Sequence, residues 1–243
     1  MKKTMYLFCI AVVLISIFLF SGVSLAEKGE TYDWAGFYIG VNIGGGAIDV
    51  KQKNTANGTL WGDMSPGESF HKKTGGLIGG GQFGFNLQVK QFVFGAEVTT
   101  DGTNLKTNNT STFGDADDVF KTRINFLMTA TARAGFALDK FLFYGKGGYA
   151  GALASMSVED NIPDPRLGVT GKGNARPWLS GWTAGVGAEY AITKHLIAGI
   201  EYNYIDLAKT SVNYGDMTGD YSFDAKIRNF HQGLIKIIYK FDW

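Results

Sequence analysis

From Trp34 the chain reads WAGFYIGVNIGGG, with Phe37, Ile39, Val41 and Ile43 at alternate positions and Tyr38, Gly40, Asn42 and Gly44 between them. A period of two is the signature of a strand whose two faces meet different surroundings. The same alternation returns over Leu77 to Gln88, where Phe83, Phe85 and Leu87 oppose Gln82, Gly84, Asn86 and Gln88. It continues over Phe92 to Thr100, with Phe92, Phe94, Ala96 and Val98 against Gly95, Glu97 and Thr99. Asn125 to Ala137 sets Phe126, Met128, Ala130, Ala132, Ala134 and Phe136 against Thr129, Thr131, Arg133 and Gly135. Phe141 to Ser155 is less regular, because Leu142 and Tyr144 interrupt a polar side that holds Lys146 and Gly148. Leu179 to Ala191, Leu196 to Ile205 and Gln232 to Trp243 complete a set of eight predicted strands.

The connections alternate in length. Val89 to Gln91, Leu138 to Lys140 and Ile192 to Lys194 are short; Ala47 to Lys73, Asp101 to Ile124, Val158 to Trp178 and Asp206 to Asn229 are long and polar. A soluble sandwich has no reason to segregate its loops this way, whereas a transmembrane barrel has short periplasmic turns and long extracellular loops. The expected fold is therefore all-β: an eight-stranded antiparallel transmembrane β-barrel of the outer membrane.

Charge sharpens the inside/outside assignment. The minor faces of successive strands carry Glu97, Arg133, Lys146, Glu189, Glu201 and Lys236. Taken in order they form oppositely charged couples, Glu97 with Arg133, Lys146 with Glu189 and Glu201 with Lys236. Ions in a narrow barrel are costly unless paired, so these residues are expected to lock a filled lumen across neighbouring strands. An eight-stranded barrel has room for little more than its own side chains, which argues against a general diffusion pore. Phe92, Phe136, Phe141, Tyr190, Tyr239, Phe241 and Trp243 cluster where strands meet short turns and predict a periplasmic aromatic girdle.

The N-terminus has another purpose. Lys2 and Lys3, the apolar run Tyr6 to Phe20 and the small-x-small site Ser24-Leu25-Ala26 follow the order of a secretory signal peptide. The run is shorter than the roughly 20 residues of a helical span. Residues 1–26 are thus expected to be cleaved, leaving a barrel over 27–243. Cys9, the single cysteine, would leave with the signal, and removing Lys2 and Lys3 takes the formal charge from +1 to about −1. Neither a disulfide nor the basic footprint of a nucleic-acid binder is expected.

Gly79, Gly81 and Gly84 match the G-x-G-x-x-G spacing of dinucleotide sites. That fingerprint needs a strand before it and a helix after it. Here HKKT precedes and FNLQVKQF follows, so the glycines read as barrel wall, where they allow curvature and close packing.

With YDWAGFYIGVNIG, FVFGAEV, TARAGFALDKFLFYGKGGYA, GWTAGVGAEYAITKHLIAGIEYNYIDL and the terminal IIYKFDW in view, the chain resembles the small porin-like outer-membrane β-barrel proteins of alphaproteobacteria, surface antigens that include haemin-binding members. The resemblance covers nearly all of the mature chain. Relatives usually carry a second inward acid and a second arginine where this chain has Thr99 and Thr131, so both members of one further pair are neutral here. The resemblance implies that Tyr239, Phe241 and Trp243 form the signal read by the outer-membrane insertion machinery. It further implies outer-membrane lipid and lipopolysaccharide as surroundings, a host or surface ligand for the loops, and no nucleic acid.

Three functions follow as expectations: a structural and surface-interacting antigen, a surface haem binder, or an outer-membrane lipid acyl hydrolase or transferase. Haem iron takes His, Tyr, Met or Cys, and the exterior candidates are His71, Met64, Tyr214 and Met217, with His71 foremost. His195 falls in a periplasmic turn and His231 at a strand start on the lipid side. Acyl transfer needs a nucleophile beside an oriented base, and no serine and acid can be placed with His231, so no enzyme is expected. The acidic stretches Asp115 to Asp118 and Asp216 to Asp224 lack the ligand pattern of a calcium loop. No cofactor or metal is predicted.

Overall fold

The computed structural model describes residues 32–54, 69–110, 119–159, 172–207, 210–213 and 222–242. These form strands β1 (Gly36–Asn54), β2 (Ser69–Val89), β3 (Phe92–Thr103), β4 (Lys106–Thr110), β5 (Val119–Leu138), β6 (Phe141–Glu159), β7 (Lys172–Ala175), β8 (Trp178–Ala191), β9 (Leu196–Leu207), β10 (Thr210–Asn213) and β11 (Ser222–Lys240). Every pairing is antiparallel, and the order β5-β3-β2-β1-β11-β9-β8-β6 closes through β6 against β5. Because β4 continues β3 along β5, β7 precedes β8 along β6, and β10 continues β9 along β11, the wall has eight staves. One break falls at Arg176–Pro177, where proline has no N–H for the ladder and contributes only its carbonyl, which accepts from the Ala154 amide at 3.1 Å.

Following direct neighbours from Tyr38 gives Gly84, Glu97, Thr131, Gly148, Thr183, Ile205 and Phe230. The circuit returns to β1 beside Ile48, ten residues beyond its start. Such a stagger tilts the strands steeply, as closure of a small barrel requires. A register slip at Asn125 on β5 turns Ile124 inward, where it is buried, whereas Ile48 on β1 is buried in unbroken phase with Tyr38 and Asn42, the extra residue of the slip beside it lying on β11.

All eight strands predicted from alternation are present, and all are longer than expected at the end opposite the short turns. The stretches read as loops begin late: β1 runs on to Asn54, β2 starts at Ser69, β5 at Val119, and β6 extends to Glu159. Toward these ends the sequence, as in DVKQKN of β1 and FHKKT of β2, no longer alternates between apolar and polar residues, while the backbone pairing continues. The short turns lie as predicted, with Lys90 and Asp139 in the left-handed region at φ 58° and 51°.

Outside, Phe37, Ile39, Val41, Phe83, Leu87, Phe94, Phe143, Val186, Ile200, Ile235 and Ile237 are all exposed and encircle the molecule. A contiguous apolar belt of this extent is compatible with lipid and not with water. At its short-turn edge Phe92 meets Phe136 at 5.8 Å, Phe141 meets Tyr190 at 4.7 Å and Tyr239 meets Phe241 at 5.3 Å, forming the girdle. Trp243 lies outside the described residues.

Candidate functional site

The inward side chains follow one order on β3, β5, β9 and β11. Reading outward from the short-turn end, β9 presents Ile197, Gly199, Glu201, Asn203, Ile205 and Leu207, and β3 presents Val93, Gly95, Glu97, Thr99 and Asp101, with Leu105 beyond it. β11 runs Ile238, Lys236, Leu234, Gln232 and Phe230, and β5 runs Ala137, Gly135, Arg133, Thr131, Thr129 and Leu127. The lumen is therefore layered: an apolar tier, a charged tier, a hydroxyl and amide tier, and a second apolar tier.

In the charged tier the Arg133 guanidinium forks onto Glu189, Nη2 to Oε2 at 2.8 Å and Nη1 to Oε1 at 3.1 Å, and Nη1 also reaches Glu97 at 3.5 Å. Lys146 Nζ bridges Glu97 at 2.8 Å and Glu201 at 2.6 Å. Lys236 Nζ bridges the same two acids at 3.0 and 2.9 Å and approaches Glu189 at 3.9 Å. Two phenols complete it. Tyr38 donates to Glu97 at 3.0 Å while accepting from Arg133 at 3.0 Å, and Tyr144 donates to Glu201 at 2.6 Å beneath the Arg133 guanidinium, 4.0 Å from its ring centre. All six ions are buried, and three acids balance three bases. Every one of these charges has an opposite partner, as a buried network requires, and the Arg133 Nε is the one nitrogen of the three bases left without a hydrogen bond.

The expected couples need one correction. Glu97 with Arg133 and Glu201 with Lys236 are in contact, but the ion pairs of Lys146 run to Glu97 and Glu201, and those of Glu189 to Arg133 and Lys236. Register explains it: on β6 and β8 Lys146 faces Gly185 whereas Glu189 faces Leu142, so partners are found across the lumen instead. Likewise Thr99 lies opposite Thr129, and Thr131 opposite Glu97, so the two threonines read as a neutral pair are diagonal neighbours.

Glycine makes the room. Glu97 pairs with Gly84, Arg133 with Gly95, Lys146 with Gly185, Glu201 with Gly187, and both Glu189 and Lys236 with Gly199. A β-carbon at Gly84 would enter the Tyr38 ring and one at Gly187 the Tyr144 ring, so each phenol lies flat on a glycine. The third glycine of the G-x-G-x-x-G stretch is thus a platform for Tyr38 in mid-strand, which leaves no phosphate cradle. Gly187→Ala is expected to push Tyr144 off Glu201 and cost about 1 to 3 kcal/mol, as overpacking does; urea unfolding in lipid vesicles reads it directly.

Above the ions, Asp101 accepts from Asn42 at 3.0 Å and from Gln232 at 3.1 Å, and Asn203 donates to Glu201 at 2.8 Å. Ile48, Ile78, Leu105, Ile124, Leu127, Leu179, Ile205, Leu207 and Phe230 fill the section beyond, none more than 2% exposed. Below the ions, Trp34 is 0% exposed among Val93, Ala137, Leu142, Ala191, Ile197 and Ile238. The segment before β1 is tied there: the Trp34 amide donates to Gln88 at 2.6 Å, and Lys240 donates to the carbonyls of Asp33 at 2.6 Å and Ala35 at 3.1 Å. Tyr32 donates to the Lys194 carbonyl at 3.0 Å, and burial, with Asp33 and Glu189 adding, pushes its phenol up to about 12. Alternation could not reveal these tiers, because Leu142, Ile197 and Phe230 sit on the inward face yet are apolar.

His71 belongs to β2 opposite Lys51, but its side chain, like Met64, Tyr214, Met217 and the acidic stretch 115–118, lies outside the described residues. Of the second acidic stretch, 216–221 also lies outside them. Among the described residues no group of three or more His, Cys, Asp or Glu is placed to hold a metal. His195 sits in the short turn, its Nδ1 3.1 Å from the Lys240 carbonyl. His231 is well inside β11 rather than at a strand start, on the outer face with Tyr204 and Ala47 as direct neighbours.

Residues 15–230 match the family described as outer membrane protein beta-barrel domain. The chain is similar to the 31 kDa outer-membrane immunogenic protein of Brucella melitensis, 29% identical over 231 residues that cover 89% of this chain and 87% of that one. It is also similar to the 25 kDa outer-membrane immunogenic protein of Brucella canis, 27% identical over 193 residues, 76% of this chain and 75% of the relative. Among solved structures, the outer membrane protein OprG of Pseudomonas aeruginosa aligns over 90% of this chain and 100% of its own at 14% identity, with a TM-score of 0.47.

Proposed function

The chain belongs to the outer membrane protein beta-barrel domain family, and from that premise we propose that it is a structural, surface-displaying protein of the outer membrane whose lumen is a sealed core and conducts no solutes. The observation that carries this is the tiering of the lumen. A charged layer alone could hydrate and pass ions, but here it lies between two apolar sections, with Trp34 at one end and Phe230 among the residues at the other. Buried ions that satisfy one another hold the wall in a single register, which is the best-attested use of such networks. The mechanical service is a rigid cylinder that carries its extracellular segments above the lipid. The description of both relatives as immunogenic supports display of those segments at the cell surface.

Purified protein in planar bilayers tests the reading. No stepwise conductance is expected, and vesicles loaded with a small sugar are expected not to swell faster than empty ones. Steps of trimeric-porin size would end the proposal.

A further inference from the structure

The outer wall is uneven around its upper rim. On β8, β9 and β11 the outward positions there are Trp182, Tyr202, Tyr204 and His231, all partly or fully exposed. Their rings form a continuous group: Trp182 to Tyr204 at 5.4 Å, Tyr204 edge-on to His231 at 5.4 Å, and Tyr202 stacked with His231 at 6.1 Å. The Tyr202 hydroxyl and His231 Nδ1 are 2.6 Å apart. Directly beside this group the wall has no side chains. Gly233 pairs with Tyr202 on one side and Gly45 on the other, a β-carbon at Gly233 would meet nothing within 4 Å, and one at Gly45 would meet only a carbonyl at 3.7 Å.

The level of this recess is fixed by register. The Tyr204–His231 pair lies eight residues along both strands from the Leu196–Tyr239 pair at the short-turn girdle. At roughly 3.3 Å per residue and about 40° of tilt, that is about 20 Å of height, close to the roughly 25 Å of an outer-membrane apolar band. His231 therefore stands at the outer headgroup boundary, an exposed imidazole on a lipid-facing wall. In the tautomer in which the phenol donates to Nδ1, Nε2 carries the N–H, and no partner for Nε2 is found among the described residues. A polar donor in that place calls for an anionic acceptor that comes with the membrane.

We propose that this face seats a phosphorylated glycolipid of the outer leaflet. His231 Nε2–H donates to a phosphate oxygen, the Tyr204 and Trp182 rings offer faces to the attached sugar, and the first acyl methylenes lie in the recess over Gly233 and Gly45. Tyr202 positions the imidazole. The assignment rests on the outer-membrane reading above and adds one lipid to it.

Native mass spectrometry of the detergent-refolded full barrel tests it, with bis-phosphorylated lipid A, mono-phosphorylated lipid A and phosphatidylethanolamine as probes. Wild type is expected to retain one bis-phosphorylated lipid A. His231→Ala should weaken that adduct about tenfold, the worth of one hydrogen bond to a charged group, and Tyr202→Phe should weaken it less. Tyr149→Phe, on the same outer wall, should leave it unchanged. Mono-phosphorylated lipid should show a smaller loss on His231→Ala, and phosphatidylethanolamine none. Equal retention in wild type and His231→Ala overturns the proposal, as does a dimer that disappears in place of a lipid adduct. Heat-dependent electrophoretic mobility, read for every variant, separates these outcomes from failure of the barrel itself, which would appear as no shift in wild type.

Discussion

Glu97→Ala is expected to cost the folded barrel about 3 to 5 kcal/mol, the range for removing one partner from a buried ion pair. The reason lies in how many groups converge on this carboxylate. Lys146 at 2.8 Å, Lys236 at 3.0 Å, Arg133 at 3.5 Å and the Tyr38 hydroxyl at 3.0 Å all end on it. Without it three cations face two acids in a space closed to water, and one positive charge is left over. Glu97→Gln should do little better, since its amide NH2 would point at an ammonium. Removing the surplus cation as well should restore part of the loss: Lys146→Met in the Glu97→Ala background is expected to recover about 1 to 3 kcal/mol, a coupling typical of contacting residues. Urea midpoints in phospholipid vesicles give all these values. A cost below about 1 kcal/mol for Glu97→Ala would mean that water reaches the charged tier, and the sealed lumen would have to be abandoned.

Much of the architecture was legible because a membrane barrel writes its two faces into alternate residues. Phe83, Phe85 and Leu87 against Gln82, Gly84 and Asn86 give a wall position and a side directly. The six lumen ions could be named for the same reason, being charges on otherwise lipid-compatible strands. Their partners could not. Alternation fixes a face and says nothing of stagger, and a stagger of ten residues around the circuit puts Lys146 beside Gly185 instead of Glu189. A usable signal is nonetheless present: each of the six inward ions lies opposite a glycine in a paired strand, so aligning inward glycines with inward ions narrows the register from the sequence alone.

The apolar tiers were invisible for a complementary reason. An inward leucine and an outward leucine look alike in sequence, so Leu142 and Tyr144 read as blemishes in the alternation of β6 when they are parts of the lower seal and the charged tier. Strand lengths were misjudged where the sequence period is lost, as in DVKQKN of β1 and FHKKT of β2, although the ladder persists there.

Trp34→Ala should produce the second large effect, about 3 to 5 kcal/mol for emptying a fully buried indole site. The lower end of that range is expected, because the indole Nε1 is already without a partner in its buried position. The functional consequence differs from that of Glu97→Ala. Trp34 closes the periplasmic end of the lumen, so its removal should admit water to the lower apolar tier while the upper tier, with Phe230 at 0% exposure, stays shut. Access can be read with single cysteines in protein carrying no other thiol. A thiol reagent should reach Ala137→Cys in the Trp34→Ala barrel and not in the wild-type background, whereas Ala152→Cys, buried near the other end, should resist it in both. Planar bilayers should remain silent throughout, since one seal is enough to stop conduction. Labelling of Ala152→Cys in the Trp34→Ala barrel would show that the upper tier depends on the lower, making the lumen one cooperative plug. Conductance from Trp34→Ala alone would instead place the whole barrier at the periplasmic mouth and reduce the ion network to a lining.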